Sequence, residues 1–117
     1  MAARQRQTYG EEVANVLTHG AGMLFGMTAI IILMMAAIRS GNPWAIGSFA
    51  VYAVCMTLSY VTSTFYHAST HARQKRLLRR FDHGAIYLHI AGTYTPFTLL
   101  ALRQEGYWGW SLFAVIW

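Results

Sequence analysis

Long runs without formal charge constrain this chain more than any other feature. No Asp, Glu, Lys or Arg occurs from Val13 to Ile38, from Ser40 to Ala72, or from His83 to Leu102. A helix needs about 20 mostly apolar residues to cross a hydrocarbon core of about 30 Å, and each run is long enough. With 56% hydrophobic and 11% charged residues, the chain does not read as a soluble domain. The expected fold is all-α: a polytopic membrane helix bundle forming one transmembrane domain over residues 1–117. Three full spans are expected at about residues 16–38, 44–67 and 81–102, with the start of a fourth at 108–117.

The connections carry ordinary start and stop signals. Thr8-Tyr9-Gly10-Glu11 fits an S/T-x-x-E capping box, so a helix is expected to start near Thr8 and run to about Ile38. Arg39-Ser40-Gly41-Asn42-Pro43 reads as a tight turn, and Arg39 and Trp44 suit an interfacial belt. A loop is expected after His67 up to about Arg80. The third span carries Pro96, which membrane helices tolerate when neighbours satisfy the freed carbonyl. After the turn at Arg103–Gly106, the fourth span reaches Trp117 with about 15 Å of helix, half a bilayer. The chain therefore reads as the N-terminal portion of a longer protein. Glu11 and Glu12 in the leader, and the length of the first apolar run, argue against a cleaved signal peptide.

The net charge of +5 raises the question of nucleic acid. The basic residues sit between hydrophobic spans, where orientation signals belong, so nucleic acid is excluded as a partner and membrane lipids take its place. With the N-terminus inside, Arg4, Arg6, Arg73, Lys75, Arg76, Arg79 and Arg80 are cytosolic, against Arg39 and Arg103 outside. Lys and Arg favour the inside, which implies a multi-pass protein of the cell inner (plasma) membrane with a cytoplasmic N-terminus. Cys55 is alone within the second run and reads as a small apolar filler.

Helical spacing groups the polar residues of the spans into stripes. Glu12, Asn15 and His19 share one face of the first helix, either as a polar wall of a cytosolic-side cavity or as interfacial polarity. Gly22 and Gly26 form a G-x-x-x-G, read as a helix-packing motif. Ser59, Ser63 and His67 share a face of the second helix, and Asp82 and His89 a face of the third. Ser63, His67 and Asp82 thus fall at one depth at the bilayer's edge, where ionisable groups are costly and usually functional. The His67 imidazole suits zinc, but zinc takes three or four protein ligands. His71, four residues on, reads as solvated or headgroup-facing. Asp82 can orient a metal ligand or its water, cap a helix N-terminus, or do both.

Three stretches together resemble the hemolysin III family, a branch of the progestin and adipoQ receptor group. They are E-E-V-A-N-V-L-T-H-G (Glu11 to Gly20), S-T-F-Y-H (Ser63 to His67) and F-D-H-G-A-I-Y-L-H-I-A-G-T-Y-T-P (Phe81 to Pro96). The resemblance implies a seven-helix membrane fold with a cytosolic-side zinc site. It makes His67 a metal ligand, Asp82 the holder of the metal-bound water and Ser63 a hydroxyl beside them. The group is related to alkaline ceramidases, which implies zinc-dependent hydrolysis of a lipid-derived amide. The family's two remaining histidine ligands lie on its last helix, and this chain has no counterpart to them, so zinc is expected in a protein of full family length. The other readings are a membrane-active cytolysin, after the family name, and a receptor-like membrane protein that holds a lipid ligand without turnover.

Overall fold

The computed structural model describes residues 8–117. Helix α1, Tyr9–Ser40, starts on the capping box expected from the sequence. The Glu11 N–H donates to Thr8 Oγ1 at 3.3 Å and the Thr8 N–H donates to Glu11 Oε2 at 2.7 Å. Each contact satisfies a backbone donor with no partner inside the helix. Gly41 ends α1 at φ 65, a left-handed conformation that glycine adopts without steric cost. Asn42 then caps helix α2, Pro43–Ala68, by accepting the Trp44 N–H at 2.9 Å. Pro43 occupies the first helical position, where its missing N–H is not needed.

Helix α3, Ala72–Pro96, corrects the sequence reading at the basic run. The expected loop up to about Arg80 is helical from Ala72, and the connection shrinks to Ser69–His71. Arg73 to Arg80 holds only good helix formers, with no Gly or Pro. The possibility that Asp82 caps a helix N-terminus falls with the loop, since Asp82 lies well inside α3. Pro96 has no N–H to donate, and the helix widens behind it into a π-helical turn, Phe97–Ala101. The turn closes with the Leu102 N–H donating to the Phe97 carbonyl at 3.0 Å. Helix α4 follows at Trp108–Ile116.

The helices form a thin layer of 50 × 33 × 19 Å. Helix α2 lies in the middle, with α1 and α3 each packed against it, while the α1 and α3 backbones stay apart. Among the described residues the interior is made of small and polar residues, Ala37, Ala45, Ser48, Cys55, Ser63, Ala85, Ala91, Thr95 and Thr98, with Met56 the one large side chain. Three of the hydroxyls there are satisfied within their own helix: Ser48 Oγ donates to the Trp44 carbonyl at 2.6 Å, Thr95 Oγ1 to that of Ala91 at 2.8 Å and Thr98 Oγ1 to that of Thr95 at 3.0 Å. Large apolar side chains face outward, Phe25 being 79% and Leu24 67% exposed. Small residues between helices and bulky ones outside are what lipid selects, because burying a Leu against another helix gains little over leaving it in hydrocarbon.

The two glycines of G-x-x-x-G sit where that logic requires. A Cβ on Gly22 would stand 2.7 Å from the Tyr60 ring, and one on Gly26 would collide with the Met56 methyl. Both glycines admit α2 side chains to the α1 backbone, so the motif is a packing face. Helices α1 and α2 are each long and apolar enough to cross a membrane. The third uncharged run is divided between the later turns of α3 and the π-helical turn. The protein is an all-α membrane helix bundle.

Candidate functional site

Three helix ends meet at the basic end of the layer: the start of α1, the end of α2 and the start of α3. The Glu12, Asn15 and His19 stripe turns toward α2 there, and the centre of the cluster is the Glu12 carboxylate. Its Oε2 lies 2.8 Å from His67 Nδ1, and its Oε1 accepts from Lys75 Nζ at 2.5 Å. One carboxylate thus ties all three helices together. Asn15 Nδ2 approaches the same His67 nitrogen at 3.4 Å. Nδ1 cannot both donate to Glu12 and accept from Asn15, and the shorter, charge-assisted contact decides the assignment. Nδ1 carries the proton toward Glu12, and in the neutral imidazole Nε2 is then the nitrogen with the lone pair.

Burial pushes the Glu12 carboxyl up, but hydrogen bonds from Lys75 and His67, and the charges behind them, outweigh it and hold Glu12 below its ordinary value. Its side chain is 17% exposed and that of His67 is 9% exposed, so water screens this contact less than a surface pair. Lys75 also stands over the Tyr66 ring at 5.3 Å.

A row of rings leads from this cluster into the bundle. His67 and His19 have centroids 5.6 Å apart, His19 meets the edge of Tyr60 at 6.3 Å, and Tyr60 meets His89 at 6.0 Å. Tyr60, on the central helix, therefore links the deeper histidines of α1 and α3, and Gly22 gives its ring the room to do so. Outside the cluster an open cleft of about 1560 Å³ lies between the first turns of α1 and α3, with Glu12, Tyr66 and His67 in its wall.

The residues singled out from the sequence are placed as follows. Ser63 is buried on α2, one turn before His67. Asp82 lies within α3 with its side chain 15% exposed and His83 Nδ1 3.8 Å away. No hydrogen bond or ion pair joins Asp82 to His67 or Ser63 among the described residues. The partner of His67 is Glu12. His71 is exposed at the start of α3. Among the described residues no group of three or more His, Cys, Asp and Glu could hold a metal ion. His67 offers one imidazole whose Nε2 makes no hydrogen bond among the described residues, and the donor set of this chain does not by itself fit zinc.

Sequence reasoning underrated Glu12 and missed Lys75. The spacing of Glu12, Asn15 and His19 marked a face without saying what it opposed. Lys75 was assigned to a loop, although its helix-forming neighbours carried the signal that its position is fixed.

The sequence model of the family described as "Haemolysin-III related" matches residues 7–117. Hemolysin-3 of Bacillus cereus is 46% identical over 114 residues, covering 97% of this chain and 51% of that protein. The Hemolysin-3 homolog of Bacillus subtilis (strain 168) is 44% identical over 110 residues, covering 94% of this chain and 51% of that protein. The chain spans about half the length of the curated relatives it matches. No solved structure matches it. With a family match over nearly its whole length, and with Glu12 and His67 of two resembling motifs brought into contact, the chain belongs to the haemolysin III family.

Proposed function

We propose that this chain forms one half of a zinc-dependent membrane hydrolase acting on a lipid-derived amide, embedded in the cell inner membrane as a multi-pass protein with a cytoplasmic N-terminus. The observation that carries the reading is the Glu12–His67 contact. A carboxylate on Nδ1 fixes the tautomer and ring orientation of an imidazole, and metal-ligating histidines are commonly held in this way. Such a contact leaves Nε2 directed to serve as one ligand. In this reading the other ligands come from the part of the family's length that this chain does not span. Ser63, one turn from His67, and Asp82 are the proposed polar partners of the substrate end. The basic run at the start of α3 supports the orientation, because Lys and Arg are retained on the cytosolic side.

Zinc content and lipid amide hydrolysis, measured in a protein of full family length, test the proposal together. Replacing His67 by Ala is expected to abolish both. Full hydrolysis in that variant would overturn the assignment.

The name of the Bacillus cereus relative favours a second reading, membrane-active cytolysis. Leakage of dye from vesicles that survives both His67→Ala and a chelator would select it over hydrolysis.

A further inference from the structure

We propose that the cleft between the first turns of α1 and α3 binds the phosphate headgroup of an anionic phospholipid. Lys75, Arg76, Arg79, Arg80 and His83 line it from α3. Because this segment is helical and not a loop, Arg76, Arg79 or Arg80, and His83 recur at the spacing of one helix face. Lys75 is matched by Glu12. Among the described residues Arg76, Arg79 and Arg80 form no ion pair. Like charges three and four residues apart on a helix repel one another, and a bound anion removes that repulsion.

A second observation points the same way. Ser69 lines the cleft, and its hydroxyl is buried with no hydrogen-bond partner. A buried unsatisfied hydroxyl is uncommon and calls for an explanation; a turn of the Ser69 side chain toward the cleft would let a phosphate oxygen accept from it. The adjoining start of α3 has no side-chain cap, so its first N–H groups are free to face an anion.

The apolar surroundings select a lipid over free phosphate. Val13 and Val16 of α1 form the opposite wall, and Leu77 and Phe81 stand 55% and 58% exposed beside the arginines. A headgroup held by the arginines would leave its acyl chains along these residues. Clusters of Lys and Arg next to a membrane span commonly recruit acidic lipids. The proposal does not depend on the hydrolase reading.

The test is native mass spectrometry of the full chain in detergent, titrated with phosphatidylglycerol or with phosphatidylcholine. Phosphatidylglycerol is expected to bind at a single saturable site in clear preference. Each of Arg76→Gln, Arg79→Gln and Arg80→Gln is expected to weaken binding about fivefold, and the triple variant on the order of a hundredfold. The pair Arg39→Gln and Arg103→Gln, at the opposite end, should leave binding unchanged. Helix content by circular dichroism separates a folding failure in the triple variant, and the single variants then carry the result. Equal affinity for the two lipids, or an equal loss in the Arg39 and Arg103 pair, would overturn the proposal. Displacement of the lipid by millimolar inorganic phosphate would replace it with a soluble phosphate site.

Discussion

At the end of the layer where α2 begins, Arg103 lays its guanidinium over the Trp44 ring at 4.2 Å, and Trp44 meets Trp110 edge-on at 5.8 Å. At the other end the Glu12 carboxylate joins Lys75 and His67 across three helices, and Arg73, Arg76, Arg79 and Arg80 form no ion pair among the described residues. At the aromatic end Arg103 is satisfied locally, by stacking and by an Arg103 Nε bond to the Leu99 carbonyl at 3.3 Å. The basic end withdraws Glu12, His67 and Lys75 partly from water and sets exposed arginines beside them. The difference teaches that one end holds its cation on aromatic rings, while the other joins three helices through a shared carboxylate.

The largest expected effect tests whether the aromatic end depends on backbone packing. A Cβ on Gly109 would stand 2.6 Å from Arg103 Cα and from the Thr98 carbonyl oxygen, and backbone cannot rotate out of the way. Gly109→Ala should cost about 3 kcal/mol, read as a drop in thermal midpoint in detergent that does not change with pH. A neutral result would mean that α4 does not dock as described.

Glu12→Gln comes next. It removes a charged acceptor of two hydrogen bonds and should cost about 2 kcal/mol at neutral pH, measured by the same unfolding. If it cost no more than a surface substitution, the contrast between the ends would collapse.

The pH dependence sharpens the same point. The folded protein holds Glu12 below its ordinary value of 4.5. Glu12 therefore stabilises the fold above that value, and the contribution is lost as pH falls below it through the folded value. An acid titration of stability should show this loss in the native chain, and Glu12→Gln should lack it. The Gly109→Ala variant should keep it.

Arg103→Gln is the smallest. A half-buried cation over an indole is worth about 1 kcal/mol, so a loss of that order, insensitive to acid, is expected in thermal unfolding.

Much of the fold was legible in the sequence because its signals are local. The Thr8–Glu11 box, the Gly41-Asn42-Pro43 turn and the packing of Gly22 and Gly26 each follow from spacing and residue chemistry. The basic run was misread because charge density was taken as a sign of loop, when Arg, Lys, Gln and Leu propagate a helix well. That one change moved the start of α3 to Ala72, brought Lys75 onto Glu12 and removed the capping role considered for Asp82.

By itself, then, the sequence determined the all-α membrane character, the motifs of the family and the face on which each polar residue lies. Uncharged length and helical period are properties of a segment, so they can be read without its neighbours. Only the tertiary structure decided which faces oppose: that His67 meets Glu12 in place of Asp82, that Tyr60 stands between His19 and His89, and that the arginines of α3 line a cleft with α1. Those pairings depend on the rotation of each helix about its axis and on its depth, which are set by how small residues let two backbones approach.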